Sequence, residues 1–421
     1  MDLAKAAAKR VYICAGSYPE QLLVGTARDG VSVYGALDCA TWTYSAANKV
    51  VVAPAQVGYA LEIQGLQTGV TFEDIEFDAQ NAANGGESSI AVFTSGSQNV
   101  ALHRVTMVAG NGTDGMPGPP QGPSDWYGIP PNYSELNGMS AGDAGGAPST
   151  TCTCPDQASS TGGAGGGPMN IPTPSAGQPS YGDAGAGAGG MNATQCNSRG
   201  GGSNGGDAPV PVADSPRTSF GACSATGWTP GVGVSGANGK PGQGGGGGGN
   251  GTLSSGSGGS GACGGCGGWG GKGGAGGGSS IALLSYQSTV TVLSSLLTAG
   301  AAGNGGAGGA AEAGQPGGIM GGNGNLGGCP GGAGGAGAGG NGGQGGAGGI
   351  SLGIGYVGTP PTIDGAVVTQ ASTHSGITIG AAGAGGAAGL RGASATSSMG
   401  PAGALGASGQ PGVATAVEAV P

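Results

Sequence analysis

The sequence predicts an all-β fold: a solenoid of short stacked strands, interrupted by Gly-rich segments that assemble into a bundle of their own. Three observations carry this. Apolar residues at Val70, Phe72, Ile75 and Phe77 recur at Val100, Leu102, Val105 and Met107, the mark of strands in a repeating unit. Glycine supplies 108 of the 421 residues, and most of it lies beyond residue 110. Within the Gly-rich stretches a triplet rhythm runs through CGGCGGWGGKGGAGG (263–277) and GGNGGQGGAGG (339–349).

The elements follow in order. The opening MDLAKAAAKR is rich in helix formers and reads as a short amphipathic helix. Residues 1–110 hold six of the eleven Lys+Arg and ten of the 21 Asp+Glu, and form an N-terminal cap with solenoid coils. Short apolar strands at 60–63 (ALEI) and 89–93 (SIAVF) precede the two recurring patterns, which gives a two-strand unit. That unit disappears through a first Gly-rich insertion, 111–279, and returns at 280–299 within SIALLSYQSTVTVLSSLLTAG. A second insertion occupies 300–349, coil sequence returns at 350–379, and a Gly-rich segment covers 380–421. The excursions leave after Met107, Leu297 and Ile379, in each case after the same strand of the unit. Stacked strands lie ~4.8 Å apart, so the three excursions should emerge side by side.

A backbone with three residues per turn and ~3.1 Å rise per residue is the polyproline-II helix. In GGX triplets it places every X on one face and leaves two bare glycine faces, against which neighbouring backbones can approach and exchange hydrogen bonds. Cys263, Cys266, Trp269, Lys272 and Ala275 would then share one face of one rod. A flexible Gly/Ser linker is the bland alternative, and collagen fails because GMPGPPQGP keeps its frame for only two triplets.

Nine cysteines in a weakly cored chain point to disulfides and an oxidising compartment. The first ten residues lack the apolar region of a signal peptide, so the sequence is expected to be part of a longer exported protein. Cys263 and Cys266 have the spacing of a zinc or redox motif, but on a three-residue turn their Cα atoms stand ~9 Å apart, beyond disulfide reach. Each is expected to bond a different neighbouring rod, with Cys152, Cys154, Cys196, Cys223 and Cys329 as available partners. The odd count leaves at least one thiol over, and no metal site is assigned.

Net charge of −10 argues against nucleic acid, and no apolar run is long enough to span a bilayer. No P-loop, HExxH or GxSxG occurs in a suitable context, and His103 and His374 are the only histidines. No catalytic residue is assigned and the protein is expected not to be an enzyme. One charged constellation stands out: Glu73, Asp74, Glu76 and Asp78 with His103 and Arg104, which stacked coils would bring together as an exposed ion pair of little energetic consequence. Trp126, Tyr127, Trp228 and Trp269 are rare aromatics that either plug bundle surfaces or stack on sugars.

The stretches LAKAAAKRVYICAGSYPEQLLV and GVSVYGALDCATWTYSAANKVVV resemble the start of a pectate-lyase-like right-handed parallel β-helix, in which a short helix caps the first coil. The closer resemblance is to Gly-rich β-helical surface proteins of the myxobacterial type. It covers residues 1–110 and the later strands, and its motifs are architectural. Cys14 and Cys39 stand where such sequences usually carry a small residue and a proline, which implies a disulfide between adjacent coils. Enzymes of the family carry acidic, Ca²⁺-binding and basic residues on one outer face, so Ca²⁺ is the one cofactor the resemblance brings into view. By pattern, the Gly-rich stretches resemble the polyglycine-II bundles of springtail antifreeze proteins and phage tail-fibre adhesins. The expected function is that of an extracellular structural or adhesive surface protein that binds a glycan, a cell surface or copies of itself. The alternatives are a carbohydrate-active or glycan-binding β-helix and an ice-binding protein.

Overall fold

The computed structural model describes residues 1–120, 137–140, 146–168, 171–182, 186–191, 196, 200–250, 256–322, 327–394 and 400–421. Strand is the dominant regular element. Among the described elements the one α-helix is Asp2–Ala6, and a 3-10 turn lies at Thr26–Arg28.

Most strands belong to three parallel sheets that the chain visits in rotation. Val11–Cys14, Gly16–Tyr18 and Leu22–Val24 open the first, second and third sheets. Ser32–Leu37, Val50–Val52 and Leu61–Gln64 pair alongside them, followed by Val70–Glu73, Glu76–Asp78 and Ser89–Ser95. Val100–His103 and Thr106–Val108 extend the first two sheets. After the first insertion, Ser280–Tyr286 resumes the third sheet beside Ser89–Ser95, as though nothing had intervened.

Alternation of side chains along each strand directs one face inward, and equivalent inward residues stack into ladders. In the first sheet the ladder is Val33, Phe72, Leu102, Val292 and Ile363. In the second it is Val52, Phe77, Met107, Leu297 and Ile377. In the third it is Leu61, Val92, Leu283, Ile354 and Val417. These ladders form one apolar core, in which each fully buried large side chain contributes about 1.5–3 kcal/mol.

The repeat contains three strands rather than the two read from the sequence. Asp74, Arg104 and Ser294, at equivalent positions, adopt φ of 59°, 50° and 50°. This left-handed residue turns the chain from the first sheet to the second and splits 70–78 into two strands. None of the three is glycine, so no turn signature marks the corner in the sequence.

The third sheet differs from the others. All seven residues of Ser89–Ser95 are buried, so both of its faces are covered. Its outer face carries Ile90, Phe93, Ile281, Leu284 and Leu352, and the antiparallel hairpin Gly221–Ser224/Gly227–Pro230 lies over it through Cys223 and Trp228.

The Gly-rich segments form a hydrogen-bonded lattice with a three-residue rhythm. As expected from their exit points, the three excursions run side by side: Gly112, Gly115 and Gly118 donate to Ala301, Asn304 and Ala307, and Gly305 and Gly308 donate to Ala384 and Ala387. Segment 331–349 sits inside. The N–H groups of Gly340, Gly343 and Gly346 reach Glu312, Gly309 and Gly306. Those of Asn341, Gln344 and Ala347 reach Ala237, Val234 and Gly231. Those of Gly342, Gly345 and Gly348 reach Ala404, Ala407 and Gln410. Successive N–H groups thus point in three directions, and Gly271, Gly274 and Gly277 return bonds to its carbonyls at Asn341, Gln344 and Ala347. Polar X residues stitch rods together. Asn111, Asn304 and Asn341 each accept a 2.8 Å bond through Oδ1, from the N–H groups of Ala301, Ala384 and Ala404.

The two ends of the stack differ. At the C-terminal end, Ala366–Val367 pairs antiparallel with Thr362–Ile363, Ala371 bridges Val417, and His374 bridges Ile377, so the segment crosses all three sheets. The 380–421 segment, read as Gly-rich to its end, instead returns to the third sheet as Ala414–Ala419. At the N-terminal end, helix Asp2–Ala6 forms as expected but buries none of its residues. It is held by an Asp2–Arg28 ion pair at 2.5 Å, beside a groove of about 590 Å³ lined by Val11, Ile13, Tyr18, Leu22 and Trp42.

Candidate functional site

The charged constellation assembles as the stacking requires. Strand register places His103 opposite Glu73. The left-handed corner residues Asp74 and Arg104 lie side by side, with Arg104 Nε 2.9 Å from Asp74 Oδ1 and its guanidinium also on Glu73. The hydrogen bond to Asp74 holds the guanidinium firmly charged against the opposing effect of burial, with a lesser contribution from the bond to Glu73. Glu76 belongs to the neighbouring sheet and, with Lys49, Asp74 and Arg104, lines a cavity of about 40 Å³, room for water and no sugar. Asp78 stands further along that strand, where burial pushes its carboxyl above the ordinary range.

A calcium ion needs six to eight oxygen ligands. Here Arg104 already occupies both the Glu73 and the Asp74 carboxylates, and among the described residues no three acidic, histidine or cysteine side chains converge on a point. The donor set does not fit the ion.

The cysteines form four disulfides. Cys14–Cys39 ties the first strand to the segment following Ser32–Leu37, with Cα atoms 4.9 Å apart. Cys263 and Cys266 do not bond each other: Cys152–Cys263 and Cys154–Cys266 form instead, with Cα separations of 6.2 and 5.7 Å. Both cysteines therefore reach the same segment, the end of strand Thr150–Thr153, and not two different rods as expected. The reason is metric. Two residues of extended strand advance ~6.6 Å and three residues of a triplet rod ~9 Å, near enough for side chains to close both gaps. Cys196–Cys329 is the fourth bridge. Four disulfides point to an oxidising, extracellular-type environment.

Cys223, grouped with the disulfide cysteines on sequence grounds, is the unpaired ninth. It lies across the hairpin from Trp228 against the apolar outer face of the third sheet, where no second thiol is present, and burial pushes it up to about 11.

Of the aromatics, Trp126 and Tyr127 lie outside the described residues. Trp269 is half-buried on its rod and accepts the Glu312 N–H through its carbonyl. Trp228 packs on the third sheet beside Tyr59, whose ring stacks on Phe93 with centroids 5.0 Å apart. Together they line a cavity of about 300 Å³ at the edge of the hairpin. The sequence reading missed Tyr59. The available signal was the unbroken apolar run SIAVF, which marks a strand buried on both faces and so a surface that some other segment must cover.

Comparison with protein-family models, curated proteins and solved structures gave no match.

Proposed function

We propose that the chain is an extracellular, non-catalytic structural or adhesive surface protein. In this reading the three sheets are a right-handed parallel β-helix of the kind found in Gly-rich bacterial surface proteins, and the triplet rods are a polyglycine-II bundle fastened to it. One observation carries the reading. Segment 331–349 donates hydrogen bonds in three directions, a use of glycine that serves rigidity and offers no chemistry. Side chains at only one position in three leave broad, weakly charged faces suited to contact with a glycan, a cell surface or further copies of the chain.

The test is adhesion under flow. Beads coated with the oxidised protein should hold to polysaccharide-bearing surfaces and release no sugar or unsaturated product. Turnover of a polysaccharide, lost on replacing Asp74 and Arg104, would overturn the proposal in favour of a pectate-lyase-like enzyme.

A further inference from the structure

The cavity between the hairpin and the third sheet is lined by Val57, Tyr59, Glu87, Ser88, Ile90 and Trp228. Its volume of about 300 Å³ lies at the lower end of small-ligand sites. Its lining joins two aromatic side chains, Tyr59 and Trp228, to the Glu87 carboxylate. The Trp228 Nε1–H is buried without a partner, and among the described residues the Tyr59 hydroxyl has none. Glu87 accepts the N–H groups of Ala83 and Asn84 at 2.8 and 2.9 Å and the Asn84 Nδ2 at 3.2 Å, all through Oε2, which leaves Oε1 unused. The N–H bonds from Asn84 and Ala83 hold this carboxyl below its usual range, so it is a charged acceptor at neutral pH. Buried polar groups in native proteins are nearly always paired; of these three only the Trp228 Nε1–H is buried, while Tyr59 and Glu87 are partly exposed and open to a partner from outside.

The chemistry of the missing partner follows from these walls. An anion would meet Glu87 and a net charge of −10. A purely apolar molecule would cover the Glu87 carboxylate and the Tyr59 hydroxyl without pairing either. A pyranose has a C–H face for the rings and hydroxyls that both donate and accept. We propose that this cavity binds a single neutral pyranose, stacked against Tyr59 and Trp228 and hydrogen-bonded to Glu87 Oε1 and the Tyr59 hydroxyl. Gly227 belongs to the site as a positioning residue, because a Cβ there would overlap the Tyr59 hydroxyl, and its φ of 120° disfavours other residues. The inference deepens the adhesive reading and rests on it only for the source of the sugar.

The experiment follows the indole N–H resonance of Trp228 in the intact, oxidised, ¹⁵N-labelled chain. The probes are methyl α-mannoside, methyl β-glucoside and methyl N-acetyl-β-glucosaminide at millimolar concentration, with cyclohexanol as an apolar control of similar size. A saturable shift with at least one glycoside is expected. Glu87→Gln should weaken it roughly tenfold, the loss of one charge-assisted hydrogen bond. Tyr59→Phe should weaken it several-fold while keeping the ring in place. Unchanged amide-exchange protection in segment 331–349 certifies that each variant is folded. No shift with any glycoside overturns the proposal, as does an equal shift with cyclohexanol that ignores both substitutions. Binding of an oligosaccharide ending in the same sugar assigns the site to glycan termini, and its exclusion assigns it to free sugar. Either result supports a pyranose site. Bead adhesion that persists when this cavity binds nothing leaves the structural reading standing and removes only this site.

Discussion

Replacing Gly343 by alanine places a methyl group between two hydrogen-bonded rods. Its Cβ would stand 2.6 Å from the Lys272 carbonyl carbon and nearer still to the oxygen, whereas ordinary contact begins at 3.4 Å. The rods must part by more than 0.8 Å, the shortfall at the carbon alone, since both atoms are backbone and neither can swing away. Three bonds bracket the contact: Gly343 to Gly309 at 3.0 Å, Gly309 to Lys272 at 2.7 Å, and Gly274 to Gln344 at 2.9 Å. Opening them at about 1 kcal/mol each gives roughly 3 kcal/mol of destabilisation. Against this, alanine restricts the unfolded chain and returns about 0.4–1 kcal/mol, so a net loss of about 2–3 kcal/mol is expected. In a flexible Gly linker only the second effect operates, and the sign reverses. Denaturant unfolding of the oxidised protein measures the difference, with Gly25→Ala as control because a Cβ there meets nothing within 4 Å. A Gly343→Ala protein as stable as the parent, or more so, would refute the reasoning.

Other perturbations have equally definite outcomes. Arg104→Ala should cost no more than about 1 kcal/mol, and the cost should vanish in ~1 M salt, because the guanidinium is 47% exposed; a larger, salt-insensitive loss measured by urea unfolding would contradict this. The Cys152–Cys263 and Cys154–Cys266 bridges span 111 and 112 residues in parallel, so each already closes the other's loop. Replacing either pair by alanine should cost about 2 kcal/mol and replacing both more than twice that, whereas strict additivity would show that the bridges act independently. Although burial opposes it, the N–H groups of Thr68, Gly69 and Gln67 hold the Asp29 carboxyl below its ordinary range. The stability this gives is present above the unfolded value of ~3.9 and is lost as pH falls through the lower folded value. Asp29→Asn should therefore flatten the acid limb of a urea-midpoint profile against pH. The buried Cys223 thiol should resist maleimide at neutral pH and label stoichiometrically on unfolding; rapid labelling of the native chain would place it at the surface instead.

Much of this architecture was legible because it is periodic. The Val70–Phe77 and Val100–Met107 patterns carry the inward ladders, and the shared exit points after Met107 and Leu297 place the excursions side by side. The hidden parts are those with no period. Asp74, Arg104 and Ser294 turn a corner without glycine or proline, so two strands read as one. The strand Ala414–Ala419 follows a Gly-rich tract and contains no aromatic or bulky repeat to announce it. Cys223 and Cys152 look alike in sequence, and only the hairpin's place on the third sheet separates a lone buried thiol from a bridge. The site at Tyr59 and Trp228 joins residues far apart in the chain through a hairpin whose destination no local pattern specifies.

The central claim is that the glycine tracts are ordered, hydrogen-bonded rods and not tethers. Native-state amide hydrogen exchange resolved over residues 258–278 and 331–349 tests it most directly, because a backbone N–H pointing at a neighbouring carbonyl exchanges only when the rods open. Protection comparable to that of strands Ser280–Tyr286 and Ser351–Val357 is the predicted result. Exchange of these glycines at the rate of an unstructured chain would contradict the account.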